Sequence, residues 1–514
     1  MIASITSYWY LVLPLFGALY FFYFYIVRTW LGVQGYKKQG CKMTFFPVIG
    51  NLMACLQAFS KTGEFYGHFK QEIKKNPELR AIGGNFLDKP YVFLVDPVLI
   101  KEFLQKQHKY QRAPLLNDLV KIVAGNGLVT TDGDIWKRHR KVISAAFHYD
   151  LIRDTIPDTV KTSDQFLEDL KRQDLNEVDI MLTYQSIAGE VIGRLFFGAK
   201  FSEYIVGGKP VTAFLSDLEE HLGRQGPTLG YLFFGANGIK KGFLPGSKEL
   251  MRKTEQFQEF ARNIIEEKTA ALKNRQESGV QPSKTTLIDI LLSQREKTSD
   301  DAFNTQEIID EFITFFGAGM DTTGHIIAMM AYFYAKNPQY HERMHQEIDK
   351  YFSDPSKITL DSLNEMDFMS AWIKETSRLG TPSASYVDRL AIEDHKLGDL
   401  HIKKGTLVNL NSIFNNFNPN YHDDADSFLP ERWLTDSKTM AAMKKEPYVF
   451  IPFSSGPRNC IGQHLATAEM KIIFSLFVKK FDFTLKPDYK LRMIQRIMYE
   501  PYDRLIFKLT PKST

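Results

Sequence analysis

Apolar positions along this chain fall into one unbroken block near the start and then into long stretches with helical spacing. Residues 8–27 carry no charge, and about 20 apolar residues are what a helix needs to cross a bilayer. Tyrosines crowd the block, and Pro14 is tolerable in a membrane helix. Arg28, Lys37, Lys38 and Lys42 follow it while no Lys or Arg precedes it, so the positive-inside bias puts the remainder in the cytosol. A cleavable signal would want a basic start and a small-residue cleavage site, and Val27-Arg28-Thr29-Trp30 offers neither. The pattern therefore predicts a transmembrane anchor over residues 1–27, a basic linker over 28–44, and one globular domain over 45–514. Phe45-Phe46-Pro47-Val48-Ile49-Gly50-Asn51 forms a rigid lead-in to that domain.

Within the domain, 91–95 reads as a short apolar strand. Asp96-Pro97 then offers an N-cap and a first-turn proline for the next helix. Helical spacing dominates from there to Lys336. It is interrupted by a Gly-, Pro- and Phe-bearing stretch at 225–246 and by a polar stretch at 273–284 that reads as a loop. The last helix of this run spans 305–335, capped near Asn304 or Thr305 and stopped before Pro338. Strand signals return over 401–410, with Lys404-Gly405-Thr406 as the turn. The expected class is mainly α with a small β region.

Composition narrows the function more than the fold. A net charge of +4 on 514 residues is too mild for a nucleic-acid binder. Cys41, Cys55 and Cys460 are the only cysteines and build no disulfide framework, which suits a reducing compartment.

Cys460 sits in Phe453-Ser454-Ser455-Gly456-Pro457-Arg458-Asn459-Cys460-Ile461-Gly462, just before an apolar helix. A thiolate is the ligating form of cysteine, and helix N-termini and nearby cations favour it. Gly456 and Gly462 let a flat group approach the main chain. A zinc site would need about four ligands, and Cys460 with His464 gives two. An inert buried thiol would leave the glycines and Arg458 unexplained. In the 305–335 helix, Gly317-Ala318-Gly319-Met320-Asp321-Thr322-Thr323 places small residues beside an acid and an alcohol. Glycine weakens a helix by up to about 1 kcal/mol, so the small residues point to close approach of a ligand or of another helix. Asp321 and Thr322 are suited to relaying protons.

The pattern Phe-x-x-Gly-x-Arg-x-Cys-x-Gly resembles the haem loop of the cytochrome P450 family, as the Ala318–Thr323 run resembles that family's distal helix. Glu375-Thr376-Ser377-Arg378 with Phe428-Leu429-Pro430-Glu431-Arg432-Trp433 is similar to its Glu-x-x-Arg and Pro-Glu-Arg segments, and Trp136 with Arg140 to its Trp-x-x-x-Arg. The resemblance implies a helical prism carrying a haem b. Cys460 would be the iron ligand, and Phe453, Gly462, Ala318 and Gly319 would lie against the cofactor. Trp136, Arg140 and Arg458 would hold its propionates, Asp321 and Thr322 would manage protons, and Glu375, Arg378 and Arg432 would form a structural lock. Ala318 stands where fatty-acid hydroxylating members often carry a haem-esterifying glutamate, so the haem would be non-covalent apart from Cys460. Residues 380–388 contain no basic residue for the family's further propionate contact, with Ser385 or Tyr386 as substitutes.

By the same resemblance, one oxygen atom from O2 enters a lipophilic substrate. Electrons would come from NADPH through cytochrome P450 reductase, with cytochrome b5 a further donor, at the endoplasmic reticulum membrane. Lys137, Arg138, Lys141, Lys444, Lys445 and Lys471 would offer a basic docking face. An O2-independent isomerase or dehydratase and a non-enzymatic haem carrier remain as alternatives, the first disfavoured by the Asp321-Thr322 pair.

Overall fold

A computed structural model describes residues 9–226, 228–278, 285–295, 302–383 and 387–512. Helix is unbroken from Trp9 to Lys37, as an α-helix Trp9–Phe21, a π-helical stretch Phe22–Arg28 and an α-helix Thr29–Lys37. Leu13–Lys37 is long and apolar enough to cross a membrane. The helix thus runs on through the segment expected as a linker, and for a packing reason. Val33 and Tyr36 are buried against the globular domain, and the Tyr36 hydroxyl pairs with Thr406 Oγ1 at 2.8 Å. At Gly32 an added Cβ would stand 2.6 Å from the Pro90 ring, so helix and sheet touch there without room for a side chain.

The β region is a six-stranded sheet ordered Lys42–Met43, Ala81–Phe86, Lys89–Leu94, Leu407–Leu410, Val387–Ala391 and Tyr110–Arg112. Asp96 caps the following helix through Val98 N at 2.9 Å, with Pro97 in its first turn. The expected turn at 404–406 is not a hairpin. Leu400–Ile402 pairs with His395–Leu397 in a separate ribbon, whereas Leu407–Leu410 lies between the strands at 89–94 and 387–391. Gly50 adopts φ 57°, and a Cβ there would fall 1.8 Å from the Asn85 carbonyl oxygen, which fixes a glycine in the lead-in.

Helices make up the rest, packed around Thr305–Lys336. Asn304 and Glu307 form a reciprocal capping box at its start. Ile180–Phe197 lies along it, closely enough that a Cβ at Gly324 would meet the Gln185 backbone at 2.6 Å. Two expected breaks are helical instead. Leu229–Lys240 is two short helices joined at Gly235, and Ser247–Ser278 runs into the polar stretch, whose residues 279–284 lie outside the described residues.

Candidate functional site

Cys460 lies between a short turn, Gly456–Arg458, and the N-terminus of the helix Gln463–Lys480. Its backbone N–H donates to the Phe453 carbonyl at 2.9 Å, closing the loop on itself. Gly456 takes φ 75°, the left-handed region that favours glycine. Gly462 has an ordinary φ of −88°, and the nearest atom to an added Cβ is on Phe147 at 3.7 Å. Strain does not require a glycine at 462, so what its missing side chain leaves is room. Burial raises the Cys460 thiol above its usual range, against the Gly462 backbone N–H and the Arg140 charge, which both lower it. Yet the residue keeps exposed surface. A thiol both deprived of hydration and accessible faces an internal cavity, where a bound metal would be needed to make it a thiolate. Among the described residues no three His, Cys, Asp or Glu converge on a metal position, so Cys460 would be a lone protein ligand.

Beside this loop lies an excess of positive charge. Arg458 donates to Thr131 O at 2.8 Å and Asp132 Oδ1 at 2.7 Å, and its guanidinium stacks 4.1 Å over the Trp136 ring. Arg112, from the edge strand Tyr110–Arg112, is 3.8 Å from the same Asp132 carboxylate. Arg140 is held by Asn459, through its carbonyl at 3.0 Å and its side-chain oxygen at 2.7 Å. Burial and the neighbouring Arg112 push Arg458 down to about 10, with Arg140 adding to the repulsion and Asp132 opposing it. One carboxylate thus serves two partly buried guanidiniums while a third has only neutral oxygens. A ligand bringing carboxylates would relieve that imbalance. No sequence motif marked Arg112 or Asp132; Arg112 arrives through strand pairing with 389–391. Ser385 and Tyr386 lie outside the described residues.

On the long helix the small residues divide between two roles. Gly319, expected beside the cofactor, is also a helix-packing position. A Cβ there would meet Ile192 of the helix Ile180–Phe197 at 2.9 Å, so this glycine lets two helices pack. Ala318, one position earlier, is exposed between the buried Phe316 and Met320, so its face of the helix is left accessible. Thr322 lies on the same face, its hydroxyl donating to Ala318 O at 2.8 Å. Asp321 accepts from Gln185 Nε2 at 2.6 Å. Burial, reinforced by the Glu500 charge and opposed by the Gln185 hydrogen bond, raises its carboxyl to about 7. A group with that value both gives and takes protons near neutral pH.

The lock residues meet. Glu375 Oε1 accepts from Arg378 Nη2 at 2.8 Å, Leu429 N at 2.9 Å and Arg432 Nε at 3.0 Å. Its Oε2 accepts from Arg378 Nε and Trp433 Nε1, both at 2.9 Å. The remaining guanidinium hydrogens go to carbonyls, including Asn416, Ala425 and Ser427 for Arg378 and Asp423 for Arg432.

The expected basic docking face loses two members. Lys471 is 3% exposed and donates to the Leu363 carbonyl, and burial lowers it to about 8. Arg138 is engaged with Glu307 and the Ala302 carbonyl. Lys137, Lys141, Lys444 and Lys445 remain exposed.

A family-wide profile described as Cytochrome P450 matches residues 43–504. The chain belongs to the cytochrome P450 family, and it is an enzyme of the haem-iron monooxygenase class. It is 27% identical to Cytochrome P450 CYP72A219 of Panax ginseng, over 90% of this chain and 89% of that one. It is 28% identical to 11-oxo-beta-amyrin 30-oxidase of Glycyrrhiza uralensis, over 78% of this chain and 75% of the relative. Cytokinin hydroxylase of Arabidopsis thaliana is 27% identical over 80% and 77%.

Proposed function

We propose that the chain is a membrane-anchored haem-thiolate monooxygenase that inserts one oxygen atom from O2 into a lipophilic substrate. Two electrons come from NADPH through a flavoprotein reductase at the endoplasmic reticulum membrane. The observation that carries this reading is the unbalanced cluster Arg112–Arg140–Arg458 beside an accessible yet dehydrated Cys460. A haem supplies both missing partners, an iron for the thiol and propionates for the guanidiniums.

When bound, the haem iron supplies the chemistry of oxygen activation. Cys460 would hold it as a thiolate, and among the described residues no cluster of three His, Cys, Asp or Glu competes for the metal. Arg112, Arg140 and Arg458 hold the carboxylate edge, with Trp136 stacked beneath Arg458. Ala318 would offer no carboxylate for an ester link to the haem, only a methyl group. Asp321 is fixed by Gln185 and keeps a proton available at physiological pH; Thr322 presents a hydroxyl one turn from Ala318. The Leu13–Lys37 helix anchors the domain. Exposed Lys137, Lys141, Lys444 and Lys445 give an acidic reductase, or cytochrome b5, a complementary surface.

Relatives named 23-monooxygenase, 30-oxidase and hydroxylase favour oxygen insertion over O2-independent rearrangement. The test is reductase-supported turnover of pooled triterpenoids, sterols and other lipophiles under 18O2, followed by mass spectrometry. The expected product gains one labelled oxygen and requires NADPH. Unlabelled product formed without NADPH would replace this reading with rearrangement.

A further inference from the structure

Glu219 lies on the helix Val211–Gln225, which faces the long helix. Its Oε1 would be 3.1 Å from a Cβ added at Gly317, one turn before Asp321 and adjacent to Ala318. Among the described residues no hydrogen-bond donor or cation reaches the carboxyl, and the residue keeps part of its surface accessible. Its neighbours are otherwise provided for. Asp321 is held by Gln185, which also accepts from Ser216 Oγ at 3.1 Å, and Glu500 is paired with Arg496 at 2.6 Å. Arg496 sits against the same helix, 3.0 Å from where a Cβ on Gly223 would fall. Among the described residues Glu219 is therefore a carboxyl with no protein partner, set over Gly317 and next to the exposed Ala318.

Resting on the monooxygenase reading, we propose that Glu219 is a specificity-determining residue that anchors a hydroxyl group of an otherwise lipophilic substrate and turns carboxylate-bearing lipophiles away. A hydroxyl can both accept from and donate to a carboxyl, so it satisfies Glu219 in either protonation state. A carboxylate would meet Glu219, Asp321 and Glu500 with Arg496 as the nearby counter-charge, and that is repulsive in a water-poor site. Burial, with the charges of Asp321 and Glu500, raises the Glu219 carboxyl well above its usual range. The same burial and the same neighbouring charges would act against a substrate carboxylate but not against a neutral hydroxyl.

The test uses the haem-loaded full chain and three probes of matched length: 1-decanol, 1-fluorodecane and decanoate. Affinities are read from the Soret shift and independently by equilibrium dialysis, which needs no haem signal. Wild type should bind the alcohol about tenfold more tightly than the fluoride, as one good hydrogen bond allows, and should bind decanoate more weakly than the alcohol. Glu219→Leu should bring the alcohol-to-fluoride ratio close to one and reduce the discrimination against decanoate. Glu219→Gln, which keeps a donor and an acceptor, should retain most of the alcohol preference. An unchanged ratio in Glu219→Leu, or no alcohol preference in wild type, would overturn the proposal. Absence of a thiolate-type CO spectrum would instead refute the monooxygenase reading, while the dialysis ratios still decide the role of Glu219.

Discussion

Two arginine clusters, one buried and one partly buried, stand on the same chain with opposite accounts of their charge. In the Glu375 cluster, five hydrogen bonds reach the two carboxylate oxygens, and the remaining guanidinium hydrogens find backbone carbonyls. Burial alone would raise Glu375, but the Arg378 hydrogen bond and the charges of Arg378 and Arg432 hold it below the usual carboxylate range. In the Asp132 cluster, two guanidiniums share one carboxylate, Arg140 has only the neutral oxygens of Asn459, and Arg458 is pushed down to about 10. A set of groups that satisfies itself needs nothing further and serves the fold. A set left with charge to spare is built for something that arrives later.

The sharpest break with that comparison is at Cys460, where the open region meets the metal. Cys460→Ser should remove the red-shifted Soret band of the ferrous-CO complex completely, since serine gives no thiolate. Persistence of the band would move the ligand elsewhere and leave the arginine cluster without its explanation.

Next in size is the closed cluster. Glu375→Gln leaves Arg378 and Arg432 buried at 0% and 6% exposure without a counter-charge, and a broken buried pair costs about 3–5 kcal/mol. Thermal unfolding should show a large loss of stability, with or without haem. A small effect would mean that the carbonyls alone can carry the two guanidiniums.

In the open cluster a substitution should act with opposite signs on the two states. Arg112→Leu removes a repelling neighbour of Arg458, so the haem-free protein should be as stable as wild type or more so. The holo-protein should release haem to an apomyoglobin acceptor about tenfold faster, the equivalent of one lost charge-assisted contact. Equal destabilisation of both states would make Arg112 a structural residue and return its cluster to the closed kind.

Much of this division can be read in the sequence, and the part that cannot has an identifiable cause. Cys460 and its glycines, Glu375 with Arg378, and Asp321 with Thr322 are local in the chain, so spacing alone brings their chemistry together. Arg112, Asp132, Gln185 and Glu219 carry no local signature. Asp132 reaches Arg458 across 326 residues and Gln185 reaches Asp321 across 136, while strand pairing places Arg112 and helix packing sets Glu219 over Gly317. Gly319 shows a subtler limit. Composition shows that small residues are wanted in that turn, but only the position of Ile192 shows that Gly319 faces a helix while Ala318 is left accessible. The helical Thr29–Lys37 segment is of the same kind, since burial of Val33 and Tyr36 depends on where the sheet lies.

The smallest predicted effect concerns Asp321, which belongs to neither kind of cluster: it has one hydrogen-bond partner, Gln185, and the charge of Glu500 nearby. With its carboxyl at about 7, it is mostly protonated below that pH and mostly ionised above it. If it holds the proton that commits bound oxygen to product, product formed per NADPH consumed should fall as pH rises through about 7, with peroxide released in its place. Gln185 donates to the carboxylate and so favours the charged form, which lowers the midpoint. Gln185→Met should therefore move the fall in coupling to higher pH, and Asp321→Asn should flatten it at a low ratio. Thr322→Ala should lower coupling at every pH without moving the midpoint, because its hydroxyl does not set the Asp321 equilibrium. A midpoint unchanged by Gln185→Met but moved by Thr322→Ala would exchange the two assignments.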